Sequence, residues 1–277
     1  MTLGDILSET WSLFLRRLAL NWATFFATVI PMALLLLALV VTGGLGAMVY
    51  FMVHHLPTAP GATVPLAAPA VSAGSLGVAL VSSLVIYLLV LPYAFGGLAG
   101  TVMEALDPNR SVSALDFFTN GARYYGRTWG FILLLLVVGI LWFLVATLGT
   151  FILGHIFFLL AFLWMLALGL ALACLMFYWV PAVYLGQQGQ LAALASALNI
   201  TFAQGGWTRA IGFVLLCFVA GLVIDVVGGI LSIIVIGFLI LIVGMVFLDT
   251  FYLLGAFVAY QDSQQRSAAV QAPTWGA

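Results

Sequence analysis

The sequence is poor in charge. Only 5% of its 277 residues are charged and none is lysine, whereas 65% are hydrophobic and the mean hydropathy is +1.29. A soluble fold of this composition would have too little polar surface to cover its exterior. The apolar runs extend over about 20 residues without the alternation that a membrane β-barrel needs, which excludes that class. The composition therefore predicts an all-α, polytopic transmembrane helical bundle.

Residues that carry chemistry are equally scarce. The two cysteines, Cys174 and Cys217, both fall in apolar stretches, where we expect packing thiols and no disulfide. No nucleophile with its base, phosphate-binding loop or zinc-ligand spacing is recognisable. The arginines are dispersed along the chain, so nothing indicates a nucleic-acid partner. We expect a protein without enzymatic activity, cofactor or metal.

The position of the few charges predicts the topology. Residues 18–103 and 128–208 contain no Asp, Glu, Lys or Arg, and each tract is long enough to cross a bilayer twice. All seven arginines fall in segments that an even number of crossings puts on one side, which is the positive-inside pattern. We expect an uncleaved first span, cytoplasmic termini and location in the bacterial cytoplasmic membrane. The six predicted spans are residues 20–50, 76–103, 128–150, 154–186, 207–230 and 235–261.

Amphipathic segments precede the odd-numbered spans. They are residues 3–18, the polar stripe within 116–127, and residues 190–206, and we expect each to form a helix at the membrane interface. Each leads to a tryptophan that anchors the following span, which suggests three repeats of one unit. The five arginines of these segments either bind lipid phosphates or only fix the topology. The anchors are Trp22, Trp129 and Trp207, and the arginines are Arg16, Arg17, Arg123, Arg127 and Arg209.

The ends of the chain and of the spans are also predictable in outline. Residues 1–262 form a single transmembrane domain, and residues 263–277 are too polar and short to fold alone, so we expect a disordered cytoplasmic tail. A coil-like loop is expected over residues 54–75, which are rich in Pro and Ala. Glycine-containing turns are expected at residues 149–154 and 228–237.

Two carboxylates lie inside predicted spans, Asp225 in the fifth and Asp249 in the sixth. An ionisable group costs about 2.5 to 3.5 kcal/mol at the centre of an inserted helix and is a candidate functional residue by default. At about 1.5 Å per residue, Asp225 lies close to the outer interface and Asp249 nearer the middle of the membrane. The two could share a proton or a cation, or each could be protonated or satisfied by a neighbouring polar group. His155, at the outer turn, is a conceivable partner for Asp225.

Two runs of the sequence, LPYAFGGLAGTVMEALDPNRSVSALDFF and VPAVYLGQQGQLAALASALNITFAQGGW, resemble a broad group of bacterial six-helix membrane proteins. In that group, a proline and then a glycine near the end of an even-numbered span precede a polar segment and an amphipathic helix. Pro92 with Gly96, and Pro181 with Gly186, match this pattern. The group includes the membrane domain attached to some glycerophosphodiester phosphodiesterases. Their soluble catalytic barrel is absent here, so the resemblance implies no catalytic residue.

Three function classes are consistent with these observations. The absence of a polar pathway favours a scaffold or accessory subunit that packs against lipid, a partner protein or a second copy of the chain. The alternative is a small transporter that uses Asp249, with Asp225, as a proton or ion site. An intramembrane lipid-processing enzyme ranks third, because it would need a polar cluster that the sequence does not visibly supply.

Overall fold

The computed structural model describes residues 1–55, 68–186, 188–231 and 235–271. These residues form eight α-helices and one π-helical turn, and no strand occurs among them. The predicted loop at residues 54–75 falls largely outside the described residues. In chain order the elements are α1 (Leu3–Arg16), α2 (Ala19–His55), α3 (Ala68–Ala105), α4 (Asp116–Ile156), α5 (Phe158–Leu185), α6 (Gln190–Leu198), the π-helical turn (Asn199–Ala203), α7 (Trp207–Leu231) and α8 (Val235–Gln271).

Six of these helices, α2, α3, α4, α5, α7 and α8, are long and apolar enough to cross a membrane. A chain in lipid must satisfy its backbone hydrogen bonds within each segment, and the continuous helix does so without help from side chains. Long helices that follow one another in the chain pack together, with α2 on α3, α3 on α4, α4 on α5 and α7 on α8. The prediction of an all-α polytopic bundle is confirmed, and the chain is an integral membrane protein.

Helix α1 is stabilised by a capping box at its N-terminus and by an apolar face that packs against the protein. Thr2 and Asp5 make a reciprocal capping box, in which the Asp5 N–H donates to Thr2 Oγ1 and the Thr2 N–H donates to Asp5 Oδ2. Ile6 and Phe14 lie on the face that packs against α8, and both are buried. Trp11 is 55% exposed, although its ring centroid lies 6.2 Å from that of Phe251 in α8. The predicted amphipathic helix is therefore present, but one of its apolar edges packs against the protein.

The structure differs from the predicted element bounds at four places. The loop predicted at 54–75 is shorter than expected, because α2 continues to His55 and α3 begins at Ala68. The polar stripe at 116–127 is not a separate interfacial helix, because it forms the first turns of the 41-residue helix α4. The turn expected at 149–154 lies instead at Phe157, whose extended backbone separates α4 from α5. In place of a disordered tail from residue 263, α8 continues to Gln271. In the last three cases an apolar or weakly polar helix continued where no proline or strong capping signal stopped it.

Glycines near the end of α3 allow α4 to cross it at short range. A β-carbon at Gly97 would lie 2.6 Å from the carbonyl oxygen of Phe117, and one at Gly100 would lie 2.7 Å from the ring of Tyr124. Only a residue without a side chain fits at such distances. The backbones of α3 and α4 therefore approach closely at these glycines.

The core lies at one end of the bundle, where the chain's polar segments also are. Residues 174–184 of α5 are almost all buried, and residues 253–260 of α8 are all buried against them. Trp179, at the centre, is fully buried and packs edge to face on Phe131 with ring centroids 5.1 Å apart. By contrast, residues 158–173 of α5 bury only Ala161. Apolar side chains facing lipid incur no penalty, so the distal halves of the helices need not bury them.

Candidate functional site

Four polar segments meet at the same end of the bundle, and we call this region the polar base: residues 1–17, 104–127, 188–209 and 262–267. Four long-range hydrogen bonds, each donated by an arginine, join these segments: Arg17 Nη2 to the Asp107 carbonyl (3.1 Å), Arg127 Nη2 to the Gln188 carbonyl (3.0 Å), Arg209 Nη1 to Asp262 Oδ2 (2.9 Å) and Arg266 Nη2 to the Met1 carbonyl (2.7 Å). The charge pattern predicted that these segments lie on one side, and the contacts place them at one end of the bundle.

Asp262 is the centre of the larger ion-pair network in the base. Its side chain is only 10% exposed, and its Oδ2 accepts from Arg209 Nη1 at 2.9 Å and lies 3.1 Å from Arg266 Nε. Arg266 also donates from Nη2 to the carbonyl oxygen of Met1 at 2.7 Å, and the Met1 amino group lies 3.1 Å from Asp262 Oδ1. A carboxylate this far from water is tolerated because several charged donors satisfy it. The network ties the start of α1 to α7 and α8.

Glu104 organises a second network at the end of α3. Its side chain is 14% exposed, forms an ion pair with Arg110, and lies 3.9 Å from Arg123 Nη1. The Asn120 side-chain amide donates to the other carboxylate oxygen at 3.0 Å. The segment between α3 and α4 is therefore folded back onto Glu104. Sequence analysis identified neither Glu104 nor Asp262 as a network centre, although the spacing of four from Asp262 to Arg266 is a recognisable pairing signal.

The five candidate lipid-contacting arginines separate into two groups. Arg17, Arg127 and Arg209 are held by protein acceptors, as described above, which favours their role as structural anchors. Arg16 is exposed, and Arg123 is exposed with its guanidinium 5.4 Å from the centroid of the Tyr124 ring. These last two keep most of their donors free for water or lipid phosphates.

The three predicted tryptophan anchors do not have equal environments. Trp22 is 58% exposed and Trp207 is 48% exposed, as expected of side chains at a membrane interface. Trp129, in contrast, is half-buried. It lies within α4 instead of at the start of a helix. The three-repeat interpretation therefore fits the first and third units more closely than the second.

The structure does not bring Asp225 and Asp249 together. Gly221 faces Leu248 across the α7–α8 pair and Gly228 faces Leu241, so this antiparallel register puts the two carboxylates about 7 Å apart along the helix axes. Neither carboxylate has a hydrogen bond or ion pair within the described part of the chain. His155 is not a partner of Asp225, since its Nδ1 is 2.7 Å from the carbonyl oxygen of Phe151.

Both carboxylates are exposed, and each lies next to the packed side of its helix. Gly221 and Gly228, four residues before Asp225 and three after it, are buried in α7. Val246 and Leu253, three residues before Asp249 and four after it, are buried in α8. Residues at these spacings share a helix face. Each carboxylate therefore lies at the edge of the surface through which its helix packs.

The base contains a polar cavity of about 630 Å³, which we call the base cavity. Its walls come from the π-helical turn, the start of α7 and the end of α8, and they include Asn199, Gln204, Arg209, Arg266 and Ser267. A different, apolar groove of about 560 Å³ lies between α1, α7 and α8. Within the described residues, no group of three His, Cys, Asp or Glu side chains is placed to hold a metal ion. Cys174 and Cys217 are buried free thiols, as predicted.

Comparisons with known proteins find no family model, no curated protein and no solved structure that matches this chain. The resemblance to bacterial six-helix membrane proteins therefore stays a prediction.

Proposed function

We propose that this protein is a non-enzymatic scaffold or accessory subunit of the bacterial cytoplasmic membrane, with the polar base in the cytoplasm. All seven arginines belong to the base segments or to the residues next to them, and the positive-inside rule assigns such an end to the cytoplasmic side. Both termini of the described chain belong to this end as well. Its expected partners are membrane lipids and either another membrane protein or a second copy of the chain.

One observation carries this proposal: the distal halves of the spans expose continuous apolar surface, while residues 174–184 and 253–260 near the base are tightly packed. Along α4, the residues from 132 to 156 bury only Ala146, and Phe143 is 69% exposed. A packed core that holds such apolar segments in place is the arrangement expected of a protein that packs against lipid or against other membrane helices. Small residues are not concentrated on this surface of α4, so the contacts would be made by large apolar side chains.

Photo-crosslinking in native membranes tests the proposal. A benzoyl-phenylalanine replacing Phe143 is expected to capture one discrete partner, either a defined membrane protein or a second copy of the chain. The matched control replaces Phe131, which is on the same helix but 2% exposed, and should give no intermolecular product. Recovery of the Phe143 variant always alone, in membranes and in mild detergent, would contradict a scaffold role.

The placement of Asp249 favours transport as the second candidate function. Its carboxylate is exposed at the edge of the packed side of α8, about 20 Å along the helix from Asp262. Between Asp249 and the base lie a hydrogen bond of 2.6 Å between Thr24 and Thr250 and the buried residues 253–260. A transported proton or ion would therefore reach Asp249 from the distal end.

Thiol labelling separates the two functions. In a chain with Cys174→Ala and Cys217→Ala, single cysteines at positions 225 and 249 are treated in intact membranes with a water-soluble, impermeant reagent. Transport predicts labelling at position 249, because water must reach the site. A scaffold predicts protection at position 249. If Asp249→Asn fully restores every uptake and efflux phenotype of a deletion strain, transport through this carboxylate is excluded.

A further inference from the structure

The base cavity has the composition of an anion-binding site. No Asp or Glu side chain is among the described residues that line it, whereas two arginines and several amide and hydroxyl groups are. Gln264 Nε2 lies 3.5 Å from Ser196 Oγ, and Ser267 Oγ lies 3.4 Å from Gln204 Oε1, so only long hydrogen bonds cross the space. Ser267 Oγ also donates to the Ser263 carbonyl at 3.0 Å, so the side-chain amides are the neutral donors that the cavity offers to a ligand.

The wall of the base cavity carries positive charge, on arginine side chains that Asp262 holds in position. Asp262 lies behind Arg209 and Arg266 and binds both, so among these three side chains one positive charge is left uncompensated. A guanidinium has five N–H donors, and in the contacts above Arg209 uses one and Arg266 uses two. The remaining donors are available to a ligand. Because Asp262 already holds both side chains, a ligand would not have to order them.

A buried hydroxyl without a partner lies in the wall of a smaller cavity next to the base cavity. Tyr260 is 1% exposed, and its hydroxyl has no hydrogen-bond partner in the described part of the chain. It lines a smaller cavity of about 330 Å³, which shares Gln188 and Gln264 with the base cavity as wall residues. A buried donor left unpaired is costly, and an oxygen of a bound anion would satisfy it.

The surroundings of the base cavity are those expected at a membrane interface, where lipid phosphates lie. Trp207 precedes Arg209 by two residues and is exposed, as is Phe202 in the π-helical turn. Both line an apolar groove on the other side of this segment, together with Ala171 and Ile211. The segment thus separates an apolar groove from a polar cavity, which is the division between acyl chains and headgroups at a membrane interface.

We propose that the base cavity is a binding site for a phosphate group, supplied by an anionic lipid headgroup or by a free phosphate ion. Arg209 and Arg266 supply the charged donors, and the Tyr260 hydroxyl supplies a neutral one. Arg266 and Tyr260 are the side chains whose replacement should weaken phosphate binding most directly. This site is independent of the scaffold role, since a transporter with the same base would contain it.

The test measures binding to the purified full-length protein by native mass spectrometry, with phosphatidylglycerol and inorganic phosphate as separate probes. Arg266→Gln is expected to weaken binding roughly tenfold, on the scale of one charge-assisted hydrogen bond. Tyr260→Phe should weaken it about fivefold, and it removes only an oxygen that has no partner, so the fold should persist. Arg16→Gln is the matched control, because it removes the same charge from an exposed arginine outside the cavity.

The two probes identify the source of the phosphate. Binding of phosphatidylglycerol that is lost in both variants and is not displaced by inorganic phosphate assigns the site to a lipid headgroup. Binding of inorganic phosphate with the same two losses assigns it to the free ion. Binding as tight as that of the unaltered protein in either Arg266→Gln or Tyr260→Phe, with both probes, would overturn the proposal, as would an equal loss in Arg16→Gln.

Discussion

Arg209, at the start of α7, and Asp262, near the end of α8, form an ion pair of 2.9 Å whose side chains are 14% and 10% exposed. The pair joins the two ends of the last helical hairpin at the polar base. Because Asp262 also binds Arg266, the loss of this one carboxylate would leave two arginines without their acceptor. Its contribution to stability should therefore exceed that of a surface pair.

Asp262→Asn is expected to lower the free energy of unfolding by about 3 kcal/mol, because it leaves partly buried guanidinium groups uncompensated. Thermal or denaturant unfolding in detergent measures the effect. Asp107→Asn is the control, since the Asp107 side chain is exposed and accepts only a local bond from the Asn109 N–H, and it should change stability by less than about 0.5 kcal/mol. Equal effects of the two variants would contradict the central role of Asp262.

Gly97→Ala is expected to destabilise the protein by about 1 to 3 kcal/mol, because the added methyl group would meet the Phe117 carbonyl where α3 and α4 cross. Gly126→Ala is the matched control on α4. Nothing lies within 4 Å of its β-carbon position, so it should be neutral or stabilise by up to about 1 kcal/mol through helix propensity. The same unfolding measurement compares them, and a harmless Gly97→Ala would show that the helices do not cross there.

Thr24 and Thr250 should be energetically coupled, since their hydroxyl oxygens are 2.6 Å apart in a buried contact between α2 and α8. A double-mutant cycle with Thr24→Val and Thr250→Val is expected to give a coupling energy of about 0.6 kcal/mol. Thr24 paired with Thr201 is the control, because the Thr201 hydroxyl is buried but donates to the Ala197 carbonyl. That second cycle should be additive. Additivity in both cycles would mean that α2 and α8 do not meet at these residues.

The capping box of α1 should make its contribution pH-dependent. Hydrogen bonds from the Thr2 backbone N–H and hydroxyl lower the pKa of Asp5 below its usual value. A carboxyl group with a lowered pKa in the folded state stabilises above its unfolded pKa of about 4, and this contribution is lost as the pH falls through the folded pKa. Asp5→Asn should therefore unfold at a lower temperature than the unaltered protein at pH 7, and the difference should shrink as the pH falls below about 4.

Glu9→Gln provides the comparison for this pH series, because Glu9 is on the same exposed helix and its carboxylate makes none of the hydrogen bonds of the cap. Its difference from the unaltered protein should be small at both pH values. A difference for Asp5→Asn that stays constant between pH 7 and pH 3 would mean that the charged carboxylate is not what caps α1.

Much of the architecture was predictable because a bilayer imposes it. A continuous apolar stretch of about 20 residues in lipid has to be a helix, so the six spans could be read from hydropathy alone. The meeting of the polar segments at one end was predictable as well, since charges avoid the hydrocarbon region. Helix ends were less predictable. The polar stripe at 116–127 and the tail after residue 263 continue neighbouring helices, because helical packing extended beyond the apolar stretch.

The residues of the candidate site were predictable from the sequence in part, but their arrangement was not. Asp225 and Asp249 stood out as intramembrane carboxylates, but their separation of about 7 Å along the helix axes depends on the register in which α7 and α8 pack. Likewise, no local pattern could show that Tyr260 would be buried beside Gln264 without a partner.

Hydropathy and charge position were thus sufficient for the number of spans and for which segments share a side, because these follow from the transfer of each segment between water and lipid. The pairing of Arg209 with Asp262, the close crossing at Gly97 and the walls of the base cavity arise only when the helices pack. Transfer energies do not set the tilt and rotation of a helix, since lipid solvates every apolar face equally well. Contacts between helices decide them, and with them the chemistry of the polar base.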